Sequence, residues 1–505
     1  LTVPRRNKME GKLKRKSVAK RNIIIGAVAL ILAFASFFYY RFTNSRSFDE
    51  KEKSIAILPF EVIGNNEDNL ANGLVEDILI HLSKIKEFDK VISNKSSSQY
   101  RDTKKDIKEI GEELGAVFLV TGSIQESDGK IRVSAQLVDS RNGKTIWADD
   151  YTKQNVEIFD LQTELATQIV SALKTHITPE EKIGLSKRYT DNVEAYKLYR
   201  KGRAFADART VASFDSAYAN YKRALEIDPD YALSYAGLAD LYTYNQRGIP
   251  QLEAVPIGRD YAFKALGIDS NLTEALTTLG WIQGAFDYDW IKSKATLLKA
   301  IKLNPNYPLA HMYYGNVLEY TDENVQQGIQ EVKKALQLDP LSVSINWVLG
   351  RNYWLAREYD SAYNQLKKTM ALDSKYYLTK GTLIYVLLEQ KKFTEALELS
   401  KQLDPNNPWD YPGPYLSYTY ASMGDTVRAK AELMKTIRDF PNKSFYHLAR
   451  CNVILKNYSI ALDELEEAYR QRDIRIYNYL KLDPTLDPIR NEPRFKALLK
   501  KTNLE

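Results

Sequence analysis

Apolar residues recur along the chain in two rhythms, a mixed one of short strands and helices followed by a long helical one. From Ser54, SIAILPF reads as a short buried strand, and NLANGLVEDILIHLSKI sets Leu70, Leu74, Ile78 and Leu82 on one helical face. A short strand around Val91 and Ile92 comes next, then a charged helix from Lys104 to Leu114 stopped by Gly115, then the apolar strand AVFLVTGSI from Ala116. Alternation in KIRVSAQLVDS puts Ile131, Val133, Ala135 and Leu137 on one side, RNGK supplies an Asn-Gly turn, and TIWADDYTK returns as the partner strand. The helix VEIFDLQTELATQIVSAL closes the unit near His176, with Pro179 as punctuation. A small mixed α/β domain is expected over 54–178.

Beyond it the pattern turns wholly helical and repeats. ALEIDP ends at Pro229, ALGIDS at Ser270, AIKLNP at Pro305, ALQLDP at Pro340 and MALDS at Ser374, so after a longer first interval the spacing is 35, 35 and 34 residues. Leu349, Gly350, Tyr353, Ala362, Leu366 and Ser374 carry the finer pattern, with small residues for close helix approach and large ones to fill the gap. Later units show it at Leu416, Tyr420, Ala429, Leu433 and Pro441, and at Leu448, Ala449, Ala461, Leu465 and Ala468. This resembles the tetratricopeptide family. The resemblance implies an all-α solenoid of about eight units over 193–472, a cap over 473–505, and a groove for a protein or peptide partner. Tyr313, Tyr314, Tyr376, Tyr377 and Tyr418 are the candidate groove residues, because tyrosine offers large area with a polar tip.

The start of the chain is different again. Ile23 to Tyr40 is eighteen residues without a charge, about 27 Å as a helix, which predicts a single membrane span. Nine Lys or Arg against one Glu precede it in residues 1–21. The positive-inside bias therefore predicts a cytoplasmic tail (1–22), a linker (41–53), and the rest of the chain in the periplasm of a bacterial inner-membrane protein. Whole-chain charge is +6; since the basic tail carries about that excess, the body is near neutral and no nucleic-acid partner is expected. Cys451 is the only cysteine, so no intrachain disulfide forms.

In order, SIAILPF, NGLVEDILIHLSKI, EELGAVFLVTGSI, KIRVSAQLVD, GKTIWADDY and IFDLQTELATQIVSAL resemble the TolB amino-terminal-like domain that follows one membrane span in many bacterial sensor and regulator proteins. That implies a non-catalytic binding or sensing domain. The chain begins with Leu1, and Leu1, Val3, Pro4, Met9, Gly11, Lys12 and Leu13 resemble the segment between catalytic domain and span in membrane-linked class III adenylate cyclases. The resemblance implies the anchored sensor half of such an enzyme, N-terminally truncated so that the catalytic domain upstream of Leu1 is missing. A stand-alone scaffold and a truncated membrane-bound transcriptional regulator are the alternatives.

Catalytic chemistry finds no motif. There is no Gly-rich loop followed by Lys-Ser/Thr, no HExxH and no Cys/His set, and His81, His176, His311 and His447 are widely scattered. Asp149 with Asp150, and Asp287 with Asp289, read as solvated turn carboxylates, and Cys451 reads as a small buried residue. The expectation is an α+β multidomain protein with one transmembrane helix, a TolB-like domain and an all-α solenoid. It is expected to be a non-enzymatic, cofactor-free and metal-free scaffold or sensor, possible as a homodimer.

Overall fold

A computed structural model of the chain describes residues 52–63, 68–127, 129–154, 157–207, 211–244, 249–321, 325–405, 411–440 and 444–505. An α/β module comes first. Its sheet contains β1 (Ser54–Ile57), β2 (Glu61–Ile63), β3 (Lys90–Val91), β4 (Phe118–Ser127), β5 (Lys130–Asp139) and β6 (Lys144–Gln154), in the order β3-β1-β4-β5-β6 with β2 also on β4. Pairing is parallel among β1, β2, β3 and β4 and antiparallel from β4 through β6. Helices α1 (Asp68–Ser83), α2 (Asn94–Ser97), α3 (Ile107–Leu114), α4 (Ile158–Ala172) and α5 (Pro179–Leu185) complete it.

Local chemistry sets these boundaries. The Asp106 side chain accepts from Glu109 N at the start of α3, three residues later than the sequence pattern suggests, and Gly115 ends the helix at φ +66°. Pro179 opens a helix where punctuation was expected, because Thr178 and Glu181 form a reciprocal cap around it. Ile131, Val133, Ala135 and Leu137 face the core with Leu74, Ile78 and Leu82, while Leu114 and Leu119 pack on the other side of the sheet.

Eight helix pairs follow among the described residues. They are α6 (Val193–Asp207) with α7 (Val211–Ile227), α8 (Ala232–Tyr244) with α9 (Gln251–Ile268), α10 (Thr273–Ala285) with α11 (Trp290–Leu303), and α12 (Pro308–Thr321) with α13 (Val325–Leu338). Then come α14 (Val343–Leu355) with α15 (Tyr359–Leu372), α16 (Tyr377–Glu389) with α17 (Phe393–Lys401), α18 (Pro412–Ser422) with α19 (Thr426–Asp439), and α20 (Phe445–Ile454) with α21 (Tyr458–Arg470). The tail holds α22 (Ile474–Tyr479), a 3-10 turn (Pro484–Ile489) and α23 (Pro493–Lys501). Gly350 shows why the pairs close: a Cβ there would stand 2.7 Å from Leu366 Cδ2.

The two helices of a pair bury different amounts. Second helices show one buried stripe, as in α13 with Ile329, Val332, Ala335 and Leu338. First helices such as α12 and α14 are buried on nearly every side, charged Glu319 and Arg351 included. First helices neighbour one another from pair to pair and so line a common face. Burial all round means that this face is covered.

Module and array pack together, and Lys53 to Glu505 forms one compact unit. One expectation needs correction. The described fold is mostly helical, a small sheet domain with helical repeats, and no helix among the described residues is long and apolar enough to cross a membrane. The longest of them, α9, carries Glu253, Arg259, Asp260 and Lys264. The span expected at 23–40 and the tail at 1–22 lie outside the described residues.

Candidate functional site

The face lined by first helices has two occupants, both from this chain. Its C-terminal half holds the tail. Tyr477 on α22 stacks on Trp290 with ring centroids 5.6 Å apart and an interplanar angle of 6°. Tyr320 donates its hydroxyl to Asn478 O, and Arg351 Nη1 donates to Asn478 Oδ1 at 3.0 Å. Farther along, buried Asp483 accepts from Tyr446 Oη at 2.9 Å and Arg450 Nε at 2.8 Å. The Arg450 guanidinium is ringed by Trp354, Tyr385, Tyr446 and Tyr479 at 4.6–5.5 Å. The chain then returns toward the third pair, where Trp290 Nε1 donates to Thr502 O at 2.7 Å. The segment from Ile474 is thus a groove filling more than an end cap.

The N-terminal half faces the module. Asn306 Oδ1 accepts from Val91 N and its Nδ2 donates to Ser83 O, both at 3.1 Å, so one side chain satisfies backbone groups of β3 and α1. Ser93 N donates to Leu338 O at 2.8 Å, and Ser96 donates to Asp339. From α1, Asp77 accepts from Tyr196 Oη and from Gln162 Nε2 at 2.8 Å, while Arg200 holds Glu76. Burial pushes the Asp77 carboxyl up to about 6 despite Arg200 beside it, and pushes the His81 imidazole down to about 4.

Where module and array meet they leave a cavity of about 310 Å³. Glu76 and Ser83 line it from α1, Tyr199 and Arg203 from α6, Asp240 from α8, Glu274 and Thr278 from α10, and Asn304 and Asn306 from the loop after α11. Its wall mixes apolar residues such as Leu79, Ile92 and Leu233 with polar ones, and acidic side chains outnumber basic ones among the latter. Among the described residues no group of three or more His, Cys, Asp or Glu is arranged to hold a metal ion.

The candidate tyrosines take their places in packing. Tyr313 is 8% exposed and lies 6.5 Å from Trp281, and Tyr418 is 8% exposed and edge-on to Tyr385 at 5.2 Å. Half-buried Tyr376 meets Trp347 edge-on, and Tyr314 is half-buried against the same core. The Tyr377 side chain is outside the described residues. Elsewhere, Asp149 and Asp150 are exposed on β6, Asp289 caps α11, and Asp287 pairs with Arg259 at 2.6 Å. Buried Cys451 donates to Pro414 O at 3.2 Å, its thiol pushed up to about 12 by desolvation. Sequence reasoning passed over the seam residues Glu76, Asp77, Tyr199, Glu274 and Asn306. A legible signal was the weak amphipathicity of the first helices, which left no polar face for open water.

Paired helices at this period, stacked by their first helices, define a tetratricopeptide-type repeat protein; Pro308, Val343, Tyr377 and Pro412 open successive pairs 34 or 35 residues apart. A family model described as HilA/YgeH-like transcriptional regulator, second domain, matches residues 51–186. The module is therefore similar to that domain. Over 188 residues the chain is 33% identical to "Putative adenylate cyclase 3" of Rhizobium meliloti (strain 1021), a match covering 37% of this chain and 32% of that protein. The similarity thus spans about a third of the relative's length. A tetratricopeptide repeat protein from Parabacteroides merdae ATCC 43184 overlaps 62% of this chain and 100% of its own at 14% identity and TM-score 0.33. A thermophilic TPR protein of Thermus thermophilus overlaps 38% and 99% at 17% identity and TM-score 0.32.

Proposed function

We propose that this chain is a regulatory, non-catalytic scaffold of a signalling protein, in which the module and the repeats act as one sensing body and the output chemistry lies in another domain or partner. The hydrogen-bonded seam between module and array, with a cavity inside it, carries this reading. A body joined in this way passes a change at the seam to both parts together. The similarity to part of a protein named as an adenylate cyclase favours cyclic AMP synthesis as the output. With the groove filled by tail and module, a protein partner is expected on the outer face of second helices, where Val427 and Met434 are 79% and 71% exposed.

The test has two arms. Purified chain incubated with ATP and a divalent cation is expected to form no cyclic AMP, and formation would end the non-catalytic reading. Cross-linking of the tagged chain in cells, read by mass spectrometry, is expected to place partner peptides on second helices; links concentrated on first helices would refute the outer-face assignment. A second reading, output through a DNA-binding domain, is favoured by the family match over 51–186. Co-purification of promoter DNA with the cross-linked complex would select it.

A further inference from the structure

We propose that the cavity at the seam binds a small organic polycation rich in N–H donors, of the linear di- or triamine class. The inference goes beyond the regulatory reading and does not depend on which output that reading has, since binding is measured directly. Five carboxylates line the cavity against two cationic side chains. Glu76 is already engaged by Arg200 and Arg203, and Asp339 by Ser96. Glu274 is different: it forms no hydrogen bond or ion pair among the described residues. Lys84 feels its charge but spends an N–H on the Tyr189 hydroxyl.

Two neutral groups point the same way. Thr278, one turn beyond Glu274 on α10, is 5% exposed and lines the cavity, yet its hydroxyl bonds to nothing among the described residues. Tyr199, on the facing helix α6, is 4% exposed, lines the same space, and likewise has a hydroxyl without a partner. Buried polar side chains are ordinarily hydrogen-bonded, so unspent ones around a cavity mark positions that a ligand satisfies. An unpaired carboxylate and two hydroxyls offer acceptors, and the ligand must bring donors and positive charge. The opposite wall is closed to this role, since Asn304 and Asn306 spend their amides on Ser83, Val91 and each other. The volume suits an extended amine and excludes a folded macromolecule.

Calorimetric titration of the full chain with spermidine and with putrescine, against sodium chloride of equal ionic strength and against sorbitol, tests the assignment. One saturable site is expected for an amine and none for the controls. Affinity should fall about tenfold or more in Glu274→Gln, the loss of one charge-assisted contact, and by less in Thr278→Val. Absence of saturable binding by both amines overturns the proposal. So does an affinity unchanged in Glu274→Gln, which would mean diffuse association with surface carboxylates. Should Glu274→Gln fail to fold by circular dichroism, Thr278→Val and Tyr199→Phe carry the same comparison, and unchanged affinity in both overturns it.

Discussion

Asp483 and Glu319 are both buried carboxylates on the groove side, and their surroundings give them opposite roles. Asp483 has its acceptors filled by Tyr446, Arg450 and Thr485. Asp483→Ala strands the Arg450 guanidinium without its counter-ion and is expected to cost about 3–5 kcal/mol, read from the urea midpoint. Glu319 lies 3.6 Å from Arg351, but its oxygens find no hydrogen-bond donor, and burial raises its pKa from 4.5 to about 8. The native state then keeps a proton that the unfolded chain releases above about 4.5. Stability contributed at this site is full at acid pH and falls as pH rises through the window from 4.5 to 8. Glu319→Gln should remove that slope and gain about 4 kcal/mol at pH 8 with little change at pH 4.5. Denaturation at the two pH values checks it, and equal slopes in both proteins would contradict it.

Among the elements, α22 is short and well fastened. Six residues place buried Tyr477 among Trp281, Trp290 and Tyr320. Tyr477→Ala is expected to cost about 3–5 kcal/mol and to raise hydrogen exchange in the tail before the helix pairs, since those keep their own packing. The contrast explains what could be read from sequence. Helix pairs were legible because Gly350, Ala362 and Leu366 meet within one repeat, at spacings the period exposes. Strand β5 was legible because buried Val133 and Leu137 alternate with exposed Arg132 and Gln136. The placement of α22 was not, because Tyr477 meets Trp290 and Tyr320 across separations of 187 and 157 residues, which no local pattern records. The candidate tyrosines followed the same limit: tyrosine spacing marks a packed face, and only the tail's course says what covers it.

At the scale of the molecule, the seam determines cooperativity. Asn306 joins β3 and α1 to the array through two buried hydrogen bonds, so Asn306→Ala leaves Val91 N and Ser83 O without partners. A loss of about 2–4 kcal/mol is expected, from two unsatisfied groups at about 1–2 kcal/mol each. In the unaltered chain, module and array should unfold in one calorimetric transition, and Asn306→Ala should split it. A split already present in the unaltered chain would show that the seam couples them weakly.

The tail has one more effect. Repeat arrays ordinarily gain or lose a unit with little penalty, since each pair touches only its neighbours. Here a single strand of chain is fastened at Trp290, Tyr320, Arg351, Arg357 and Arg450, on successive and distant pairs. Removing one pair between those points would leave the fastenings out of step by about the width of a helix hairpin, roughly 10 Å. The tail therefore works as a ruler, and it makes the number of repeats a property the protein cannot easily change.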